Sequence, residues 1–113
     1  MVVTPAELLS AKYAESSATV QVTGSGIGTI IDKFTVTNVT GALVSFTAYL
    51  TIPLGVPSAA NTVISARPIA SNETYTCPEL IGHLLSNGSR IATLASASSS
   101  LVIRASGRIL TNS

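Results

Sequence analysis

The stretch Lys33 to Leu50, KFTVTNVTGALVSFTAYL, holds two runs of alternating residues around an Asn-Val-Thr-Gly segment. Before that segment Ile30, Phe34 and Val36 point one way, and Ile31, Lys33, Thr35 and Thr37 the other. After it Val44, Phe46, Ala48, Leu50 and Ile52 line one face, and Ser45, Thr47, Tyr49 and Thr51 line the opposite one. A period of two marks a strand with one face on a core and the other on water or a partner. Asn38 and Gly41 supply turn chemistry. Read alone, the stretch is a β-hairpin with nothing reactive on either arm. Asp32 falls on the apolar side of its run, where a bulge at Gly28 would shift the register.

Upstream, Ala18, Val20 and Val22 alternate with Thr19, Gln21 and Thr23, a short half-buried strand. Gly24-Ser25-Gly26-Ile27-Gly28 follows it as a tight turn or bulge, since glycine adopts positive φ at little cost. The first residues allow two readings. Thr4-Pro5-Ala6-Glu7 has the form of a helix start, with Thr4 as cap and Pro5 at the first helical position. The competing reading is an extended arm or strand from Leu8 to Ala14. Residues 1–17 are therefore expected as an N-terminal arm or short helix, and 18–113 as the main domain.

Downstream, Ile52 to Asn61 carries two prolines and a glycine and reads as a loop. Thr62 to Arg67 is a strand stopped by Pro68, residues 69–73 turn the chain, and Thr74 to Thr76 is a short strand. Cys77 to Leu85, CPELIGHLL, reads as a helix. Pro78 suits its first position, Glu79 suits the positive end of its dipole, and Leu80, Ile81, Leu84 and Leu85 fall at helical spacing. Arg90 to Leu94 is a strand. Ala95 to Ser100 is a flexible connection, and Leu101 to Ile109 alternates as a final strand. Strands separated by Gly, Pro and Ser turns predict an all-β, single-domain β-sandwich, jelly-roll or Ig-like, with one short helix.

Composition narrows the functions such a domain can have. Charged residues are 10% of the 113-residue chain, against about 25% in an ordinary soluble domain. Ser and Thr fill roughly a quarter of the positions. A surface of hydroxyls with few ions suits a subunit that covers surface against its neighbours. The six cations are scattered along the chain, and there are three Tyr, two Phe and no Trp. Nucleic-acid affinity needs clustered cations or stacking platforms, so no nucleic-acid partner is expected. The single cysteine, Cys77, permits no intrachain disulfide. The first residues lack the basic and apolar regions of a signal peptide, and no apolar run reaches membrane-spanning length, so no membrane partner is expected. Asn38-Val39-Thr40, Asn72-Glu73-Thr74 and Asn87-Gly88-Ser89 match the glycosylation pattern, which carries no weight without a sign of secretion.

No residue set reads as catalytic, cofactor-binding or metal-binding. Cys77 and His83 stand six apart on the expected helix, about 9 Å along its axis and on different faces. Cys77 is expected as a small buried residue and His83 as a surface or interface one. The acids Glu7, Glu15, Asp32, Glu73 and Glu79 are mostly far apart in sequence. An enzyme would require Asp32, Glu73, Glu79 and His83 to converge in a pocket. A carbohydrate or host-surface binding module would require Tyr13, Tyr49 and Tyr75 in one exposed patch. The GSGIG segment has neither phosphate-loop nor dinucleotide spacing, and no G-x-S-x-G elbow occurs.

From Gly28 to Ile109 the chain resembles small virion proteins of tailed bacteriophages. The resemblance is carried by Thr37-Asn38 and Thr40-Gly41 around the first turn, by Glu79-Leu80 and Gly82-His83 in the later segment, and by Ile91, Ala95-Ser96 and Leu101 to Gly107. It implies a β-sandwich structural component, assembled in the host cytoplasm and built into the virion as a symmetric homo-oligomer. The role it implies is an accessory capsid subunit for decoration or cement that contacts the major capsid or other virion proteins, or else a neck or tail component. It implies no active-site residue and no cofactor.

Overall fold

The computed structural model describes residues 2–53 and 55–112; Met1, Leu54 (inside the expected loop) and Ser113 lie outside the described residues. Nine strands run in chain order: β1 (Val2–Tyr13), β2 (Thr19–Thr23), β3 (Gly28–Asn38), β4 (Val44–Thr51), β5 (Thr62–Ile69), β6 (Thr74–Tyr75), β7 (Leu84–Leu85), β8 (Arg90–Ala95) and β9 (Leu101–Thr111). They form two antiparallel sheets. The front sheet has the order β1-β9-β3-β6, with β7 also on β3, and the back sheet has the order β2-β8-β4-β5. The all-β sandwich is as expected from the alternation.

The opening stretch is the first correction. Its two arms are strands, with the expected parity from Phe34 to Val36 and from Val44 to Ala48 but not at Ile30, Ile31 or the exposed Ile52, and they do not pair with each other. β3 lies in the front sheet beside β9, and β4 lies in the back sheet between β8 and β5. The segment between them is an arch that carries the chain across the core. Phe34, Val36, Val44, Phe46 and Ala48 are all buried between the sheets. The rings of Phe34 and Phe46 meet at 6.4 Å between centroids. Asn38 holds the arch. Fully buried, it donates through Nδ2 to the carbonyls of Ala42 at 2.7 Å and Ile69 at 2.8 Å, and its Oδ1 accepts from the amide and hydroxyl of Thr40. A buried amide with all its groups partnered fixes a corner that a merely polar turn would leave loose.

The expected helix over 77–85 is the second correction. The only helical residues among those described are the 3-10 turn Ala59–Asn61. The segment instead makes two successive turns, with Leu80 N–H on the Cys77 carbonyl and φ of 49° at Cys77 and 84° at Gly82. Its backbone then bonds to β3: Gly82 N–H donates to Ile31 O at 2.7 Å, and Ile31 N–H donates to His83 O at 3.2 Å. Nine residues with a central glycine make a weak helix. The free edge of β3 offers the same backbone groups better partners. Leu80 and Leu85 are buried, while Ile81 and Leu84 of the supposed apolar stripe are exposed.

Of the two readings of the N-terminus, the extended one is observed. Val2 to Tyr13 pairs with β9 almost throughout, from Val2 opposite Thr111 to Tyr13 opposite Val102. The helix-start pattern loses to this long partner because Pro5 is tolerated on an outermost strand. β5 likewise runs through Pro68 to Ile69, opposite Val44, where the strand was expected to stop at Arg67. Ile31, and not Ile30, enters the core. The bulge responsible lies at Ile31 to Lys33, beyond Gly28, and it turns Asp32 outward.

Candidate functional site

Both neighbours of β9 slip register at the same level. β1 bulges between Glu7 and Leu9, opposite Ser106 and Ala105, and β3 bulges between Ile31 and Lys33, opposite Gly107 and Ser106. Gly107 lets them close in. A Cβ there would stand 2.0 Å from the Ile30 carbonyl oxygen and 2.9 Å from Leu8 Cδ1, so no larger residue fits without moving backbone. Bulges bend a sheet locally. Here they leave a concavity of about 630 Å³ on the outer front face, lined by Glu7, Asp32, Lys33, Thr35, Arg104 and Ser106 among others.

Two ion pairs bracket Ser106. Arg108 grips Asp32 in bidentate fashion, with Nη2 at 2.9 Å and Nε at 3.0 Å from its two oxygens. Arg104 reaches Glu7 at 3.5 Å. Register places Glu7 on one side of Ser106 and Lys33 on the other. Lys33 makes no ion pair among the described residues. The concavity is wide and wet, and exposed pairs of this kind contribute little stability, about 0–1 kcal/mol each. The arrangement can hold polar groups of a partner. Ser106 stands between Glu7 and Lys33 in register, and Glu7 accepts from Ser10 and Arg104.

The residues singled out for chemistry in the sequence are spread over the molecule. Cys77 is fully buried, as expected, and burial followed by the nearby Glu79 charge pushes its thiol up to about 12. His83 is exposed. Of the four groups whose convergence would revive an enzyme, only Asp32 lines the concavity. Glu73 instead accepts from the Ala70 amide at 2.7 Å, and Glu79 accepts from the Tyr75 hydroxyl. No group of three or more His, Cys, Asp and Glu side chains that could hold a metal ion occurs among the described residues. The tyrosines also separate. Tyr13 is exposed on β1 of the front sheet, Tyr49 is half-buried on β4 of the back sheet, and Tyr75 is buried on β6. They do not form one patch.

A polar clasp across one side of the sandwich went unnoticed in the sequence. Arg67, on β5 of the back sheet, lies over the ring of Tyr75, on β6 of the front sheet, at 4.1 Å from its centroid. The Tyr75 hydroxyl donates to Glu79. Burial and the facing carboxylate raise the phenol to about 12, and the hydroxyl holds the Glu79 carboxyl below its ordinary value. The sequence held only a faint signal for it, an Arg and a Tyr of short strands near two strained positions. Ala66 and Cys77 sit at φ of 45° and 49°, a conformation that costs a residue with a side chain.

Sheet edges, the simplest docking points on a β protein, are guarded. β1 carries Pro5 and two register shifts, β5 carries Pro68 and the left-handed Ala66, β2 has five residues and one shift, and β6 and β7 have two residues each. Proline, bulges and short length are the devices that stop strand addition. One end of the sandwich gathers residues 24–27, 52–53, 55–58 and 86–89 and the outer ends of β1 and β9. Val2, Val3, Ile27, Ile52, Val56 and Leu84 are exposed there. Residues 2–6, 22–31, 50–66, 84–89 and 109–112 include no Asp, Glu, Lys, Arg or His. No helix of the described residues is long and apolar enough to cross a membrane. No protein-family model, curated protein or solved structure matches the chain.

Proposed function

We propose that the chain is a bacteriophage virion structural protein, an accessory capsid subunit of the decoration or cement kind. It binds neighbouring capsid proteins non-covalently. The observation that carries this reading is one end of the sandwich, where six large apolar side chains stand exposed beside hydroxyl-bearing turns, with the nearby Arg90 guanidinium bonded to the Gly55 carbonyl. Concentrated apolar exposure on a folded chain marks a contact surface. Covering it stabilises by about 25 cal/mol per Å² of apolar area. Guarded edges support the same reading, since they confine contacts to surfaces whose shape the fold has already set. The phage-like framework residues around Asn38 and along β9 supply the class of particle, and a sandwich of this kind is stable without a disulfide in the cytoplasm where virions assemble.

The experiment is the copy number of this chain in purified particles, measured by quantitative mass spectrometry against the major shell protein. A ratio near that of the shell protein is expected for a decoration or cement role. A ratio far below it would move the chain to the neck or tail. Absence from the particles would end the virion reading.

A further inference from the structure

We infer that the concavity on the front face is a cradle for a carboxylate, and that its occupant is an aspartate or glutamate side chain of a neighbouring protein. The inference rests on the reading of the chain as a subunit that works by surface contact, and it names the group this surface receives. Strand register sets four outward residues at the corners of a square on β3 and β9: Lys33 opposite Ser106, and Thr35 opposite Arg104. Directly opposite side chains stand about 5 Å apart at Cβ and diagonal ones about 7–8 Å, so all four reach one oxyanion placed between them. Two are cations and two are hydroxyls, and every one is a donor. Among the described residues, the side chains of Lys33, Thr35 and Ser106 make no hydrogen bond or ion pair. Further along β3, Thr37 is already bonded to Thr74, so the open donors end there. Arg104 meets Glu7 through one nitrogen at 3.5 Å, the far limit of hydrogen-bond reach. Asp32, the carboxylate next to Lys33 in the chain, is held instead by two nitrogens of Arg108.

Charge selects the ligand. Lys33, Arg104 and Arg108 stand against Glu7 and Asp32, which leaves this face one positive charge in excess. A carboxylate carries one negative charge and balances it. A phosphate group carries about −1.5 to −2 and would overshoot, with Glu7 and Asp32 close by to repel it. Shape selects the source. A free small molecule is held when most of its surface is buried, and this concavity is too wide for that. A side chain on a partner's surface needs only its tip received, because the surrounding contact supplies the rest of the affinity. None of the described lining residues is aromatic, so a sugar acid finds no ring to stack on. The open mouth keeps water around the charges, and little desolvation cost opposes the pairing.

The test follows the amide shifts of the isotope-labelled full chain during titration with the capped tripeptide acetyl-Gly-Glu-Gly-amide, up to about 100 mM. Amides of residues 33–35 and 104–107 should move together and saturate. Acetyl-Gly-Gln-Gly-amide, matched in shape but uncharged, should show a Kd at least about tenfold higher. Lys33→Gln should raise the Kd of the Glu peptide by about threefold or more. Lys12→Gln removes an equal charge outside the concavity, where Lys12 pairs with Glu15, and should leave that Kd unchanged. The same spectra report that each variant is folded, and both lysines are exposed or half-buried, so neither substitution touches the core. No saturable shift, shifts centred elsewhere, or equal response to the two peptides would overturn the inference. So would equal weakening by Lys12→Gln, or tighter binding of inorganic phosphate or glucuronate than of the Glu peptide. The particle measurement is separate: a chain abundant in virions but indifferent to the Glu peptide keeps the virion reading and loses the cradle, and a chain that binds the peptide but is missing from virions does the reverse.

Discussion

The two outer faces of the sandwich obey the same alternation and cover the same core, yet they are chemically unlike. The front face carries Glu7, Asp32, Lys33, Arg104 and Arg108, with two ion pairs across three strands. The back face presents hydroxyls, a tyrosine, small aliphatic side chains and, at one end by register, Arg90. In a chain with only 11 acidic and basic residues, from 6 Lys and Arg plus 5 Asp and Glu, five on one face is a strong asymmetry. Alternation requires only that outward residues tolerate exposure. Which outward face receives the ions is free to follow function, and ions belong where water stays.

The most damaging way to break this comparison is to remove what holds the faces back to back. Phe46→Ala, which empties a fully buried site against Phe34, should cost about 3–5 kcal/mol. Denaturant unfolding should show the loss in one transition; an unchanged midpoint would mean that the sheets do not pack on each other. Asn38→Ala removes the arch that joins β3 to β4. It strands the carbonyls of Ala42 and Ile69 and should cost about 2–3 kcal/mol. Asn38→Asp offers a sharper check at neutral pH, since it keeps the size and loses both donated bonds.

Gly107→Ala tests the front face alone. Its Cβ meets the Ile30 carbonyl, so a loss of about 1–3 kcal/mol is expected, with amide exchange quickened in β1, β3 and β9 before β4 and β8. Uniform change in both sheets would argue against the paired bulges. Tyr75→Phe loosens the clasp and should cost up to about 1 kcal/mol at neutral pH. Because the Tyr75 hydroxyl lowers the Glu79 carboxyl from its usual 4.5, that contribution is present above 4.5 and lost as pH falls through the lowered value. The variant's acid unfolding curve should therefore be flatter in that window than the wild type's; parallel curves would show that the hydroxyl does not set the titration. Smallest of all, Asp32→Asn should cost about 0–1 kcal/mol, shrinking with added salt. A salt-independent loss would mean that the Arg108 pair is more than a solvated surface contact.

Much of this was legible in the residues themselves. The alternation of β9 and of β4 from Val44 to Ala48, and the burial of Phe46, Ile103 and Cys77, follow from local spacing, because side-chain direction in a strand is set by its own backbone. Asp32 standing off-register announced a bulge, and only its position was misplaced. The concavity was not legible, since it needs two bulges from strands β1 and β3 to meet at one glycine of β9.

What the sequence determined by itself, then, is which side the residues of an unbroken run take, as in β9 and most of β4: there in or out is a property of one strand and its period, while the bulges of β2 and β3 shift it. What the tertiary structure decided is who pairs with whom. The run from Lys33 to Leu50 could close as a hairpin or open as an arch with the same residues buried, and the choice depends on β9 and β8 supplying partners from far along the chain. The segment from Cys77 to Leu85 could take helical bonds to itself or bonds to the edge of β3, and the edge won. Backbone groups take the best partner in the folded molecule, and no stretch of sequence carries that partner within itself.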